Sequence, residues 1–178
     1  MASSHDHAED PRNATVLVWL NGALVPREKA VVSVLDAGFL MGDGVWEGLR
    51  VHHGRIPFLE RHLDRLFENA RALDLDLGLD RSGIRAALQQ TVEANNMVDG
   101  VHIRLMFTRG RKTTPFQGTA VNRSGPTQVV LAEWKEPPPE VYARGLDLAT
   151  VWVRRGRPDV QDPAWNSHSK LNCVAASI

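Results

Sequence analysis

The residue in this sequence best placed for covalent chemistry is a lysine near its end, in Ser169-Lys-Leu-Asn-Cys-Val-Ala-Ala-Ser-Ile178. Leu171, Val174, Ala175 and Ile178 recur at helical spacing, so a helix is expected to open at or just before Lys170, with Ser167 or Ser169 as its cap. A cation in the first turn of a helix opposes the macrodipole. Partial desolvation there favours the neutral amine, the form that condenses with a carbonyl group. The same ten residues also suit a solvated surface lysine. Of the 21 basic residues only Lys29, Lys112, Lys135 and Lys170 are lysines. The other cations are guanidiniums, which suit anion clamps better than nucleophilic attack. Amine chemistry therefore has four side chains to choose from.

Three further groups merit a chemical reading. His168 and Cys173 lie five residues apart at the same helix start, a conceivable nucleophilic pair, although Cys173 falls inside the apolar run and reads better as a buried structural cysteine. Arg65 projects nearly opposite the apolar stripe of its helix, either into solvent or toward a cleft that holds an anion. His5 and His7 form a pair in a polar segment and read as solvated. Phosphate-cradling P-loop, HExxH, Cys-x-x-Cys and Gly-x-Ser-x-Gly patterns are missing, and no metal site is expected. Gly42-Asp-Gly44 is not a dinucleotide fingerprint, because the third glycine is misplaced and a strand follows.

The elements that position these residues can be taken in order. Residues 1–14 are polar and without periodicity, and a disordered tail is expected. Val16 to Leu20, Asn21-Gly22 and Ala23 to Val25 form a hairpin pattern with the dipeptide of a type I′ turn. Asp36 to Gly44 reads as a glycine-punctuated loop. Val45 to His53 reads as a strand with Trp46, Gly48, Arg50 and His52 on one face and Val45, Glu47, Leu49 and Val51 on the other. His53-Gly54 reads as a turn. Leu59, Leu63, Leu66, Phe67, Ala70 and Leu73 mark an amphipathic helix, and Ile84, Leu88 and Val92 mark a second one capped by Asp80. Val101 to Thr108 and Thr127 to Glu133 are strands, separated by a polar, mobile loop from Arg109 to Gly125. Leu146 to Val153 is expected to be another strand.

These patterns predict an α+β fold with an N-terminal domain at 15–133, a proline-stiffened linker at 134–140 and a second domain beginning at 141–178. About 38 residues are too few for a separate core, and the helical pattern stops without a cap at Ile178. The second domain is thus expected to be truncated, with weak turnover from this chain. Net charge is zero, which argues against nucleic acid or an anionic membrane surface as partner. One cysteine excludes an internal disulfide and suits a reducing, cytoplasmic setting. No apolar run approaches the roughly 18 residues of a membrane span.

Gly42-Asp-Gly-Val-Trp-Glu-Gly-Leu-Arg50, His62-Leu-Asp-Arg-Leu66, Ile103-Arg104, Thr108-Arg-Gly110 and Ser169-Lys-Leu-Asn172 occur in this order. Together they resemble the fold-type IV pyridoxal-phosphate enzymes, the class IV aminotransferases, in register from about Val18 to the last residue. The resemblance implies a two-domain fold and a homodimer with pyridoxal 5′-phosphate as cofactor. It implies ping-pong transfer of an amino group from an α-amino acid to a 2-oxo acid. Lys170 matches the family's Schiff-base lysine, and Arg65 matches the arginine that binds the cofactor phosphate. Trp46 matches an aromatic position in the substrate pocket, Arg104 an arginine near the substrate carboxylate, and Met41 a position on the loop near the partner subunit's site. Asn172 follows the lysine by two residues, where the family usually has Lys-x-x-Asn, and Met41 stands where branched-chain enzymes often carry tyrosine. Glu47-Gly-Leu-Arg50 leans toward the branched-chain group. The alternatives are a D-amino-acid aminotransferase, an aminodeoxychorismate lyase, and, in another class, a non-catalytic dimerisation or binding domain.

Overall fold

A five-stranded antiparallel sheet carries the chain, built from β1 (Leu17–Leu20), β2 (Ala23–Pro26), β3 (Gly44–Val51), β4 (Val101–Thr108) and β5 (Thr127–Trp134) in the spatial order β2-β1-β5-β4-β3. These positions come from a computed structural model that describes residues 9–178. Around the sheet the helices are α1 (Ala37–Met41), α2 (Leu59–Ala72), α3 (Arg81–Ala94), α4 (Pro139–Arg144), α5 (Pro158–Gln161) and α6 (Leu171–Ser177). The local signals explain most of this. Asn21 and Gly22 both take positive φ, 48° and 93°, the turn whose twist suits a hairpin. The Asp80 side chain accepts a hydrogen bond from the Gly83 backbone N–H and starts α3, as an N-cap should.

The core lies on one face of the sheet. Alternate residues of β3, β4 and β5 (Val45, Leu49, Val51, Val101, Ile103, Leu105, Phe107, Val130 and Ala132) pack against Leu63, Leu66 and Ala70 of α2 and Ile84, Ala87 and Leu88 of α3. Helices gathered on one side of an antiparallel sheet make an α+β arrangement, as the patterning predicts. The other face carries Trp46, Gly48, Arg104, Met106, Val129 and Leu131, all only partly buried.

Several expectations are corrected. Within the expected disordered tail, Pro11–Thr15 forms a 3-10 turn capped by Asp10, and Asn13 exchanges two hydrogen bonds with the Trp134 backbone, each 2.9 Å. His5 and His7 lie outside the described residues. Asp36 to Gly44 is not all loop, because Asp36 caps the five-residue α1 by accepting from the Gly38 N–H, and Gly42 ends it in the left-handed conformation at φ 67°. The segment from Arg109 to Gly125 is ordered around a buried cation. Lys112 is 1% exposed, and its Nζ donates to Gly118 O and Asn122 Oδ1 at 3.2 and 3.0 Å.

Leu146 to Val153 is not a strand. Alternation alone does not make one: the segment pairs with no strand of the sheet, and Leu148 and Trp152 are about nine-tenths exposed. From Val141 onward only Ser167 is buried. The apolar stripe of α6 accordingly faces outward, and Cys173 is exposed instead of buried.

The C-terminal segment nonetheless has a firm seat on the sheet. Asn166 to His168 lies along the otherwise open edge of β3: the Trp46 N–H donates to Asn166 O at 3.0 Å and the His168 N–H to Gly44 O at 2.9 Å. Gly44 makes that approach possible. A Cβ there would collide with the Phe107 carbonyl oxygen and lie 2.7 Å from His168 Cδ2. Gly44→Ala should therefore lower stability by about 1–3 kcal/mol, the usual cost of overpacking, measured as a drop in the urea midpoint. An unchanged midpoint would mean that the segment is not held against β3.

Candidate active site

Trp46 is the centre of the arrangement, and it is fixed from three directions. Its backbone exchanges hydrogen bonds with Asn166: its N–H donates to Asn166 O, and Asn166 Nδ2 donates to its carbonyl at 2.7 Å. Its indole Nε1–H donates to Ser167 O at 3.0 Å. The ring leans over Gly48, where a Cβ would lie 3.3 Å from Cζ3, so the missing side chain makes room for it. Gly48 is opposite Arg104 in the β3–β4 register. That pairing carries the Arg104 guanidinium over the indole, with Cζ 3.5 Å from the ring centroid, a stacked cation–π contact.

Lys170 joins this group from the edge of the sheet. Its Nζ lies 5.4 Å from the Trp46 ring centroid and donates to Asn166 Oδ1 at 3.3 Å. The expected helix begins one residue later, at Leu171, and Lys170 itself is the N-cap. Neither Ser167 nor Ser169 caps it; Ser167 Oγ is engaged instead by Gln161 Nε2 at 2.9 Å. Partial burial lowers the Lys170 pKa from its ordinary value. The Arg104, Arg155 and Arg65 guanidiniums push it the same way, while Cys173 acts in the opposite sense. The neutral amine is thus favoured by two independent causes, desolvation and a cationic surrounding. Beside it a cavity of about 190 Å³ opens among Arg155, Trp165, Ser169, Lys170, Asn172 and Cys173.

Arg65 sits on the helix side of β3. Residues 46 and 47 alternate across the strand, so Glu47 points under α2 and is fully buried. Arg65 grips it bidentately, Nε to Oε1 at 2.7 Å and Nη2 to Oε2 at 2.5 Å, and His62 Nδ1 lies 2.8 Å from Oε2. The carboxylate raises the arginine pKa through that hydrogen bond. An isolated buried carboxylate would cost several kcal/mol, which this clamp and His62 together offset. It engages Nε and Nη2 and leaves Nη1 without a protein acceptor among the described residues. The side chain is half exposed. The arginine is therefore not on a free solvated face, as one reading of the sequence had it, yet it retains a donor for an outside anion.

Two more imidazoles border the site. His168 Nε2 donates to Val45 O at 3.2 Å, and its burial lowers its pKa. His102, on the open face beside Arg104, is pushed down to about 4 by burial first and by Arg50, Lys135 and Arg104 after it. Both shifts favour the neutral imidazole. The fifth expected residue, Met41, lies apart on α1 and is 40% exposed. Its neighbour Gly42 lies against the Ser169 backbone, where a Cβ would be at 3.2 Å.

The structure therefore brings Lys170, Trp46 and Arg104 together, holds Arg65 within electrostatic range of Lys170, and leaves Met41 at the periphery. Sequence reading missed Glu47, His62 and Asn166. For Glu47 the signal was there, a lone carboxylate among the inward-facing residues of β3, which demands a buried cation partner. An amine whose pKa is lowered, beside a guanidinium over an aromatic floor, can condense with a carbonyl compound while an anionic group is held nearby. The donor set fits a phosphorylated aldehyde, with Lys170 for the aldehyde carbon and Arg65 Nη1 for the phosphate.

Known proteins resemble this chain in sequence and in fold. The chain is 44% identical over 170 residues to a branched-chain-amino-acid aminotransferase-like protein of Arabidopsis thaliana, a match covering 94% of this chain and 30% of that protein. It superposes with a TM-score of 0.78 and 25% identity on the branched-chain amino acid aminotransferase of T.th., solved with pyridoxamine 5′-phosphate, covering 91% of this chain and 54% of that one. It also superposes, with a TM-score of 0.70 and 28% identity, on 4-amino-4-deoxychorismate lyase from Pseudomonas aeruginosa, over 90% of this chain and 56% of that one. The chain thus spans less than a third of the first relative and about half of each structural one. The family model for amino-transferase class IV matches residues 44–178, the stretch that contains every group described above except Met41 and Gly42, and the chain belongs to that family.

Proposed function

We propose that this chain carries the reactive half of a pyridoxal-phosphate-dependent aminotransferase, which moves an amino group from an α-amino acid to a 2-oxo acid. The observation that supports this most directly is the partly buried Lys170 amine, favoured in its neutral form beside Trp46 and Arg104. When bound, pyridoxal 5′-phosphate supplies an electron sink for negative charge at the substrate α-carbon. The residues of this chain do the rest. Lys170 Nζ would hold the cofactor's carbonyl carbon, and as a free amine it would carry the substrate α-proton. Arg65 Nη1 holds the phosphate while Glu47 and His62 fix its guanidinium. Arg104 receives the substrate carboxylate over Trp46, which excludes water from one side. Met41 flanks the entrance from α1.

A branched-chain-type substrate is supported by Glu47-Gly-Leu-Arg50 and by the names of two of the relatives. The likeness to a lyase keeps the aminodeoxychorismate reading as the second one. In this proposal residues 141–178 open the larger, cofactor-binding domain, whose remaining surface receives the outward stripe of α6. No helix of the described residues is long and apolar enough to cross a membrane. A homodimer is supported by the exposed apolar residues Val31, Val34, Phe39 and Met41 near α1. Cytoplasmic placement is supported by the free, exposed thiol of Cys173, which a reducing compartment preserves.

Two measurements test this. After incubation with pyridoxal 5′-phosphate and borohydride reduction, a peptide map should place the adduct on Lys170, and Lys170→Ala should abolish it. An adduct on Lys112 or Lys135 would overturn the assignment. Arg65→Ala should weaken cofactor retention at least tenfold, the scale of losing a charge-assisted phosphate contact. Retention equal to wild type would leave Arg65 only its pairing with Glu47.

The pH dependence has a definite sign. A lysine whose pKa is lowered is deprotonated at a lower pH than an ordinary lysine, so its nucleophilic fraction rises first as pH increases. In competitive acylation followed by mass spectrometry, Lys170 should be modified at a lower pH than Lys29 and Lys135. Simultaneous labelling of all three would show that Lys170 is an ordinary surface amine.

A further inference from the structure

The turn that follows β3, well away from Lys170 along the strand, gathers two imidazoles around one carboxylate. His53 and Gly54 form its centre, with positive φ of 48° and 71°. Reciprocal bonds close it: the His52 N–H donates to Arg55 O at 2.8 Å and the Arg55 N–H to His52 O at 3.0 Å. In an extended strand, neighbouring side chains point to opposite faces. The left-handed backbone at His53 breaks that alternation and sets its ring beside that of His52, with centroids 4.1 Å apart. Both rings then face Asp99. His52 Nδ1 lies 3.1 Å from Oδ1 and His53 Nδ1 2.9 Å from Oδ2.

Asp99 comes from a different part of the chain, the connection between α3 and β4. The two turns are fixed to each other by the backbone, through the Gly54 N–H donating to Val98 O at 2.8 Å, and the second turn is fixed to the end of β5 through the Lys135 N–H donating to Gly100 O at 2.9 Å. The three side chains thus converge from a preformed frame. One ligand atom from each lies within 4.8 Å of the other two, and no other group of this kind occurs among the described residues.

We propose that His52, His53 and Asp99 form a binding site for a borderline divalent transition-metal ion of the zinc, cobalt and nickel class. Two imidazole nitrogens with one carboxylate suit these ions; calcium and magnesium prefer sites made of oxygen alone. Each Nδ1 that now donates to Asp99 becomes a ligand when its proton resides on Nε2 instead. Both rings are largely exposed, so Nε2–H finds water without a protein acceptor. The carboxylate exchanges two N–H donors for the cation, so no group is left unpartnered. Three protein ligands leave at least one coordination position to water. Such a metal ties the β3 turn to the α3–β4 turn and acts as a clip across one end of the domain. The site is independent of the aminotransferase reading.

The test is calorimetric titration of the 178-residue chain with Zn(II), repeated with Co(II) by visible absorption. Wild type and a His5→Ala/His7→Ala variant should each take up about one equivalent with d–d bands in the cobalt form. His52→Ala/His53→Ala should lose that uptake. The near-isosteric Asp99→Asn, with circular dichroism confirming the fold, should bind roughly tenfold more weakly. Excess Mg(II) should not compete. Undiminished uptake in the His52/His53 double variant, or loss of uptake in the His5/His7 variant instead, would overturn the proposal.

Discussion

The whole site depends on a short stretch of backbone pairing at the edge of a sheet. β3 is an edge strand, and an open edge is a row of unpaired donors and acceptors that natural proteins must cover. Here the cover is Asn166 to His168, which arrives after a long irregular excursion from the proline stretch. Without that pairing nothing buried would hold residues 141–178, since Ser167 is their one buried residue. With it, Lys170 is delivered three residues past the bridge at Ser167, to within reach of Trp46. Gly44 and Gly48 serve the same end by omission. One allows a backbone to approach, and the other leaves space for an indole ring.

The electrostatics follow from this placement. Lys170 is surrounded by Arg104, Arg155 and Arg65, and the neighbouring His168 and His102 are both driven toward neutrality. A cluster of cations without a bound anion is unfavourable, and Glu47 offsets only one member of it. The surplus is what an anionic ligand would neutralise. The largest influence on the amine is nevertheless its burial and not the neighbouring charge. The chain therefore lowers the lysine's proton affinity with its own surface, while the guanidiniums remain able to bind anions.

Local patterns were the legible part of the sequence. The Asn21-Gly22 hairpin, the two amphipathic helices and the alternation of β3 and β4 are decided by residues close in sequence, and they stand as expected. Lys170, Trp46 and Arg104 were legible only through motif order, since nothing local ties residue 46 to residue 170. What misled was non-local. Glycines 38, 42 and 44 suggested a loop, but Gly38 fits a short helix because Thr108 packs where its Cβ would be. Leu146 to Val153 had the period of a strand but pairs with no edge of the sheet. Lys112, apparently one of four available amines, is consumed by a carbonyl and an amide oxygen inside its own loop. Its burial could not be inferred from a stretch so polar.

The last constraint concerns register. Trp46 and Glu47 are adjacent, so a pleated strand sends them to opposite faces. The indole thereby meets Arg104 on the open face, and the carboxylate meets Arg65 and His62 beneath α2. Lys170, at the strand's edge, lies between the two. This division separates the two arginines: one is immobilised by a buried carboxylate with its Nη1 to spare, the other rests on an aromatic ring. A slip of one residue in the β3–β4 pairing would exchange the faces, placing an ionised carboxylate in the open site and an indole in the core. The apolar residues Val45, Leu49 and Val51 forbid that slip because they would be expelled with it. The packing of the core and the geometry of the site are thus specified by the same alternation, and the chain cannot alter one without the other.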